Sequence, residues 1–197
     1  MSKKGPSWER EFSELLSAWW SDGQRTDLFW RTSQSGGRAT VRTRKSLTTV
    51  GQYGDITATD PEGLPFIKVF TPELKRGYGT SSPFDILDRG PKSTSKLYWD
   101  WIEKAQETVK AAGSKFWLFV VRRDRRVPFV IMPELAWYET SLAFANCCPY
   151  ADIRIENHSI RITTLSEFFG KCEPRSIYEI ARKMGKPITK QDIPQAS

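Results

Sequence analysis

The chain has 197 residues, enough for one domain, with 39% hydrophobic and 13% aromatic residues that include 8 Trp and 11 Phe. That apolar content excludes a disordered chain, and no apolar run approaches the ~18 residues of a membrane-spanning helix. Lysine and arginine number 30 against 23 acidic residues, a net charge of +7, which favours polyanionic partners.

The first six residues are polar and lack the apolar core of a secretory leader, so a cytoplasmic setting is expected. Residues 7–21 predict a helix capped by Ser7, with Phe12, Leu15, Leu16 and Trp19 on its apolar face and Asp22-Gly23 as its stop. Residues 28–31 form a short apolar piece, and residues 33–37 a polar loop. Residues 49–59 predict a strand containing Asp55. Residues 64–76 predict another containing Glu73 and Lys75, with Asp60-Pro61-Glu62-Gly63 as the turn between them. After a long Gly/Ser/Thr/Pro loop over 77–93, residues 94–112 predict a second helix stopped by Gly113. Residues 116–121 are continuously apolar, as in a strand buried on both faces, and 127–132 return as its neighbour after the Arg122–Arg126 turn. Beyond Pro133 the pattern weakens to a hairpin around residues 156–159, a short helix over 176–184 and a polar tail from about residue 185. The fold class expected is mixed α/β, with a core over 1–133 and a small α+β C-terminal extension over 134–197 packed on it.

Residues i and i+2 of a strand share a face, so Glu73 and Lys75 lie on one side, and the turn brings Asp55 towards them. Two carboxylates and a lysine together suit a divalent cation and a water nucleophile, the needs of phosphodiester hydrolysis. The same residues also suit a turn aspartate and a solvated strand edge. Asp85 and Asp88 can reach such a cation or cap a turn and bind Arg89. Tyr98 and Gln106, two turns apart, can face the same cleft or pack in the core. Basic residues cluster in two runs, Arg38, Arg42, Arg44 and Lys45, and Arg122, Arg123, Arg125 and Arg126. With Arg31 and Arg76 they form the expected DNA-contacting set, and such phosphate contacts are nonspecific and salt dependent. Trp19, Trp20 and Trp30 fit either base stacking or the core. Cys147, Cys148 and Cys172 read as free thiols. With His158 they offer the residue types of a zinc site, but adjacent Cys147 and Cys148 do not easily face one ion.

The element order, with Asp55 before Glu73-Leu74-Lys75, resembles the PD-(D/E)xK nuclease superfamily, whose restriction-endonuclease-like core is αβββαβ. Within it, Gly5, Glu9-Arg10-Glu11-Phe12 and Leu15-Leu16, then Arg31 and Ser35-Gly36, resemble the first helix and following loop of archaeal-type Holliday-junction resolvases. The resemblance covers residues 5 to about 132. It implies a DNA endonuclease acting on branched or duplex DNA as a homodimer, of phage or mobile-element type. It also implies that Asp55 and Glu73 hold Mg²⁺ or Mn²⁺ and that Glu9 assists them, with Glu11 or Glu14 as alternatives. Lys75 then positions or activates water, and Ser35 contacts the scissile phosphate. Gly54 stands where the family name has Pro. Pro72 directly precedes Glu73, which predicts an edge strand or a bulge and a shifted register. The alternative is a nucleic-acid-binding or protein-interaction module that keeps the fold without catalysis.

Overall fold

The computed structural model describes residues 4–32, 53–79, 81–88, 96–142, 149–155 and 157–185. The expected features at Ser35, Arg38, Arg42, Arg44, Lys45, Arg89, Cys147 and Cys148 lie outside the described residues.

Helix α1 (Lys4–Trp20) begins earlier than expected, so Ser7 lies inside it and does not cap it. Its buried seam is Trp8, Phe12, Leu16 and Trp20, every fourth residue, while Leu15 is 43% exposed. The seam turns away from Leu15 because Ser13 and Ser17, both fully buried, leave room for the next strand. The Ser17 hydroxyl accepts the Phe29 N–H at 3.1 Å, so a polar but small side chain occupies the contact. The helix stops where expected. Asp22 and Gly23 take positive φ, and the Gly23 N–H reaches the Ala18 carbonyl at 2.7 Å.

Strand β1 (Phe29–Arg31) pairs antiparallel with β2 (Ile56–Ala58). A 3₁₀ turn, Pro61–Gly63, is capped by the Asp60 carboxylate and leads into helix α2 (Leu64–Val69). The strand expected over 64–76 is therefore divided: its first six residues are helical and only β3 (Phe70–Arg76) is extended. Pro65 in the first turn is preorganised for a helix, and a run in which every residue but Lys68 is buried carries no period to tell helix from strand. Asp60–Gly63 is thus not a hairpin turn between two strands.

Strand β3 runs parallel to β4 (Phe116–Arg122), and the crossover carries α3 (Asp85–Asp88) and α4 (Leu97–Ala112). Gly113 ends α4 in the left-handed conformation, φ 67°. β4 then pairs antiparallel with β5 (Phe129–Pro133), and α5 (Glu134–Thr140) follows. The hairpin of β6 (Tyr150–Ile155) and β7 (His158–Thr164) completes a five-stranded mixed sheet in the order β3-β4-β5-β7-β6. Helices α6 (Leu165–Lys171) and α7 (Pro174–Lys183) close the described chain. The architecture is mixed α/β, as expected. Among the described residues no helix is long and apolar enough to cross a membrane.

Alternation along the strands divides the core. Phe70, Leu118, Val120, Val130 and Met132 pack with α1, α6 and α7. Trp117, Phe119, Val121, Phe129 and Ile131 pack with Tyr98, Trp99 and Ile102 of α4. Glu73 and Lys75 belong to the α4 face, while Leu74 between them packs into the other cluster. In the C-terminal hairpin, fully buried Arg161 donates to both Asp152 oxygens at 2.7 and 2.6 Å and lies 4.0 Å from the Tyr150 ring centre.

Pro72 does not shift the register. Residues 70–76 pair one to one with 116–122, and β3 is the edge of the five-stranded sheet. The Pro72 carbonyl accepts the Asp55 N–H at 2.8 Å. A strand residue's N–H and C=O point the same way, so the donor that proline lacks faces Asp55 rather than β4.

Candidate active site

Asp55 sits between the β1–β2 ribbon and β3. Its carbonyl accepts the Thr32 N–H at 2.9 Å, its N–H donates to Pro72, and its carboxylate accepts the Leu74 N–H at 2.7 Å. The carboxylate thus takes the next donor along the β3 edge after Pro72. Gly54 holds the preceding turn with φ 79°, a conformation closed to proline, and its carbonyl accepts the Thr32 hydroxyl at 3.0 Å. Two positions along β3, the Lys75 ammonium lies 3.0 Å from the Glu73 carboxylate. The rings of Trp101 and Phe119 cover that ammonium, with centres 5.6 and 5.7 Å away.

Burial, with the Glu73 charge second, pushes the Asp55 carboxyl up to about 6 from its ordinary 3.8. The Leu74 N–H and the Lys75 charge oppose the rise, and the Glu9 charge on α1 adds to it. Glu9 Oε2 is buried without a hydrogen-bond partner, and Arg31 Nη1, 3.8 Å away, is too distant to donate. Asp55, Glu73, Lys75 and Glu9 are therefore brought together from β3, the turn before β2, and α1.

The raised Asp55 pKa links to stability with a definite sign. Between pH 3.8 and 6 the folded chain binds the extra proton, so this stabilisation is complete below the unfolded value and is lost as pH rises through about 6. The full loss is about 3 kcal/mol, of which roughly half falls between pH 5 and pH 8. Thermal melts in EDTA at pH 5 and pH 8 should show it in the wild type. Asp55→Asn, which keeps an acceptor for Leu74 without the charge, should lack that component and melt higher than the wild type at pH 8.

The other expected residues are placed as follows. Glu11 pairs with Arg122, which also lies over the Trp8 ring, its guanidinium carbon 4.8 Å from the centre. Glu11 is thus engaged away from Asp55. Arg123 donates to the Ser81 carbonyl at 3.3 Å, while Arg125 and Arg126 are exposed beyond the end of β4. Arg76 and Arg122 face each other across the β3–β4 ladder at the end next to Lys75. Asp85 accepts the Ser82 N–H within its own turn. Gln106 meets His158 at 3.3 Å, whereas Tyr98 packs on Trp101, so the two do not share one cleft. Trp19 and Trp20 are core residues whose indole N–H groups reach the Phe169 and Glu62 carbonyls, and Trp30 is 43% exposed. Cys172 is buried beside the Thr140 hydroxyl. Thr32, the Leu74 N–H, Trp101 and Phe119 were not legible as site elements: a threonine, a backbone donor and two apolar-looking aromatics carry no motif.

Among the described residues no three His, Cys, Asp or Glu side chains form a finished metal cage. The donor set nonetheless suits a hard divalent cation, which needs only one or two carboxylates alongside waters and phosphate oxygens. Asp55 is desolvated among like charges, and Glu9 Oε2 is buried without a donor. Both features fit a cation.

No curated protein and no solved structure matches the chain. The family model described as "Phage putative PDDEXK endonuclease" matches residues 1–179, a span that includes Glu9, Asp55, Glu73 and Lys75. With nine-tenths of its length inside that match, the chain belongs to this phage family of the PD-(D/E)xK nuclease superfamily.

Proposed function

We propose that the protein is a metal-dependent DNA endonuclease that hydrolyses phosphodiesters at the Asp55–Glu73–Lys75 site and prefers branched DNA. The observation that carries this reading is Asp55 itself. Its carboxyl is half-buried and desolvated, destabilised by Glu73 and Glu9, and fixed by the Leu74 N–H. A bound Mg²⁺ or Mn²⁺ supplies Lewis-acid activation of water and charge neutralisation at the phosphate. Asp55 and Glu73 would hold it, with Glu9 assisting. The Lys75 ammonium, kept between Glu73 and two ring faces, is set to donate to the phosphate and to orient the attacking water. Arg76, Arg122, Arg125 and Arg126 gather positive charge at the same strand end for backbone contacts, and Arg38, Arg42, Arg44 and Lys45 extend the basic set in sequence. A homodimer, as the resolvase resemblance implies, would present two such sites to one junction.

The test is cleavage of a labelled four-way junction beside matched linear duplex and single strand, with Mg²⁺ and with EDTA. Metal-dependent cutting of the junction alone is the expected result. Equal cutting of all three keeps the nuclease and removes the junction preference. Salt-sensitive binding with no cutting of any substrate overturns the enzymatic reading in favour of a binding module.

A further inference from the structure

β3 leaves the site through two successive left-handed residues, Gly77 at φ 96° and Tyr78 at φ 54°. Glycine takes this conformation freely, but tyrosine is strained there. The turn is pinned by the Gly77 N–H, which donates to the Arg122 carbonyl at 3.1 Å. Its product is a ring contact: Tyr78 meets Trp101 edge-on, centres 4.9 Å apart and planes at 80°. Trp101 is the ring that covers the Lys75 ammonium, and Tyr98 braces it at 4.9 Å. Burial does not account for the strain, because Tyr78 remains 41% exposed. An open aromatic ring is thus held beside the lysine that the proposed reaction uses, with Arg76 and Arg122 at the adjoining strand ends.

An exposed aromatic on a rigid support that also covers the Lys75 cation has the chemistry of a base-stacking platform. We propose that Tyr78, seated on Trp101, stacks an unpaired nucleobase of the strand being cut. This rests on the assignment of cleavage to Asp55, Glu73 and Lys75 and narrows the substrate class. The site takes DNA whose bases are already unstacked next to the scissile phosphate, as at a junction, flap or single strand, in preference to uninterrupted duplex.

The test uses oligonucleotides carrying 2-aminopurine, as single strand, junction and duplex, bound in EDTA so that nothing is cut. Tyr78→Ala should weaken single-strand and junction binding by about 5- to 100-fold, the range that base–aromatic stacking gives. It should leave duplex binding within about twofold, while Tyr78→Phe retains wild-type affinity on all three. Quenching of 2-aminopurine by the wild type and Tyr78→Phe, but not by Tyr78→Ala, distinguishes stacking from a merely structural ring. Unchanged single-strand binding by Tyr78→Ala, or an equal loss on duplex, overturns the platform. A separate Mg²⁺ reaction reads cleavage. If cutting is absent while the Tyr78-dependent quench persists, the nuclease reading falls and the platform stands. If cutting is intact and Tyr78→Ala changes nothing, the reverse holds. Failure of the wild type to bind any of the three sinks both.

Discussion

Lys75→Ala is expected to slow single-turnover cleavage by at least about 100-fold while changing DNA affinity little, the scale seen when one preorganised donor is removed from a developing charge. The ammonium is one cation among many for binding, because Arg76, Arg122, Arg125 and Arg126 stand at the same strand end. For the reaction it is singular in position, 3.0 Å from Glu73 and beside the contacting rings of Trp101 and Phe119. Lys75→Arg should therefore fail to restore the rate. A planar, forked guanidinium does not reproduce the point-like donor that the ammonium places beside Glu73. Quenched-flow cleavage with saturating protein, alongside equilibrium binding in EDTA, separates the two quantities. A parallel fall in both for Lys75→Ala would make Lys75 a binding residue only.

Gly54→Pro, which would recreate the proline that names the superfamily, should cost about 3–5 kcal/mol and abolish cleavage. Proline fixes φ near −65°, whereas Gly54 has φ 79°. Any Cβ at this position would also come within 2.5 Å of the Pro72 carbonyl oxygen, the acceptor that anchors Asp55. Gly23 provides the control. Its φ is also 79°, but nothing lies within 4 Å of an added Cβ. Gly23→Ala should cost only the left-handed penalty of about 1–2 kcal/mol, and Gly54→Ala clearly more. Urea melts of the three variants measure the ordering. Equal costs for the two alanines would mean that the close approach to Pro72 does not constrain the turn.

Helix ends and long runs were the legible parts of this fold. Asp22-Gly23 and Gly113 stop α1 and α4 through left-handed backbone that glycine allows, and the unbroken apolar run of β4 marks a strand buried on both faces. Helices α5 and α6 escape notice because seven residues give fewer than two full turns of periodicity. α2 was mistaken for strand because nearly all of it is buried. The local order of Asp55 and Glu73-Leu74-Lys75 was visible, but the means of bringing them together was not. A hairpin turn was expected, whereas the link is a single edge of β3 gripped by Asp55 through backbone and carboxylate. Pro72 looked like a defect and is instead the acceptor in that grip. Its missing donor can be seen as harmless only once the direction of its carbonyl is known.

Trp19 of α1 donates to the Phe169 carbonyl at 2.8 Å, across 150 positions of sequence, and packs against the Phe168 and Phe169 rings. The helix that carries Glu9 is therefore tied in part to a helix far along the sequence. A substitution at Phe168 or Phe169, remote from the site in sequence, is thus expected to reach it by loosening the seat of the helix that brings Glu9 towards Asp55.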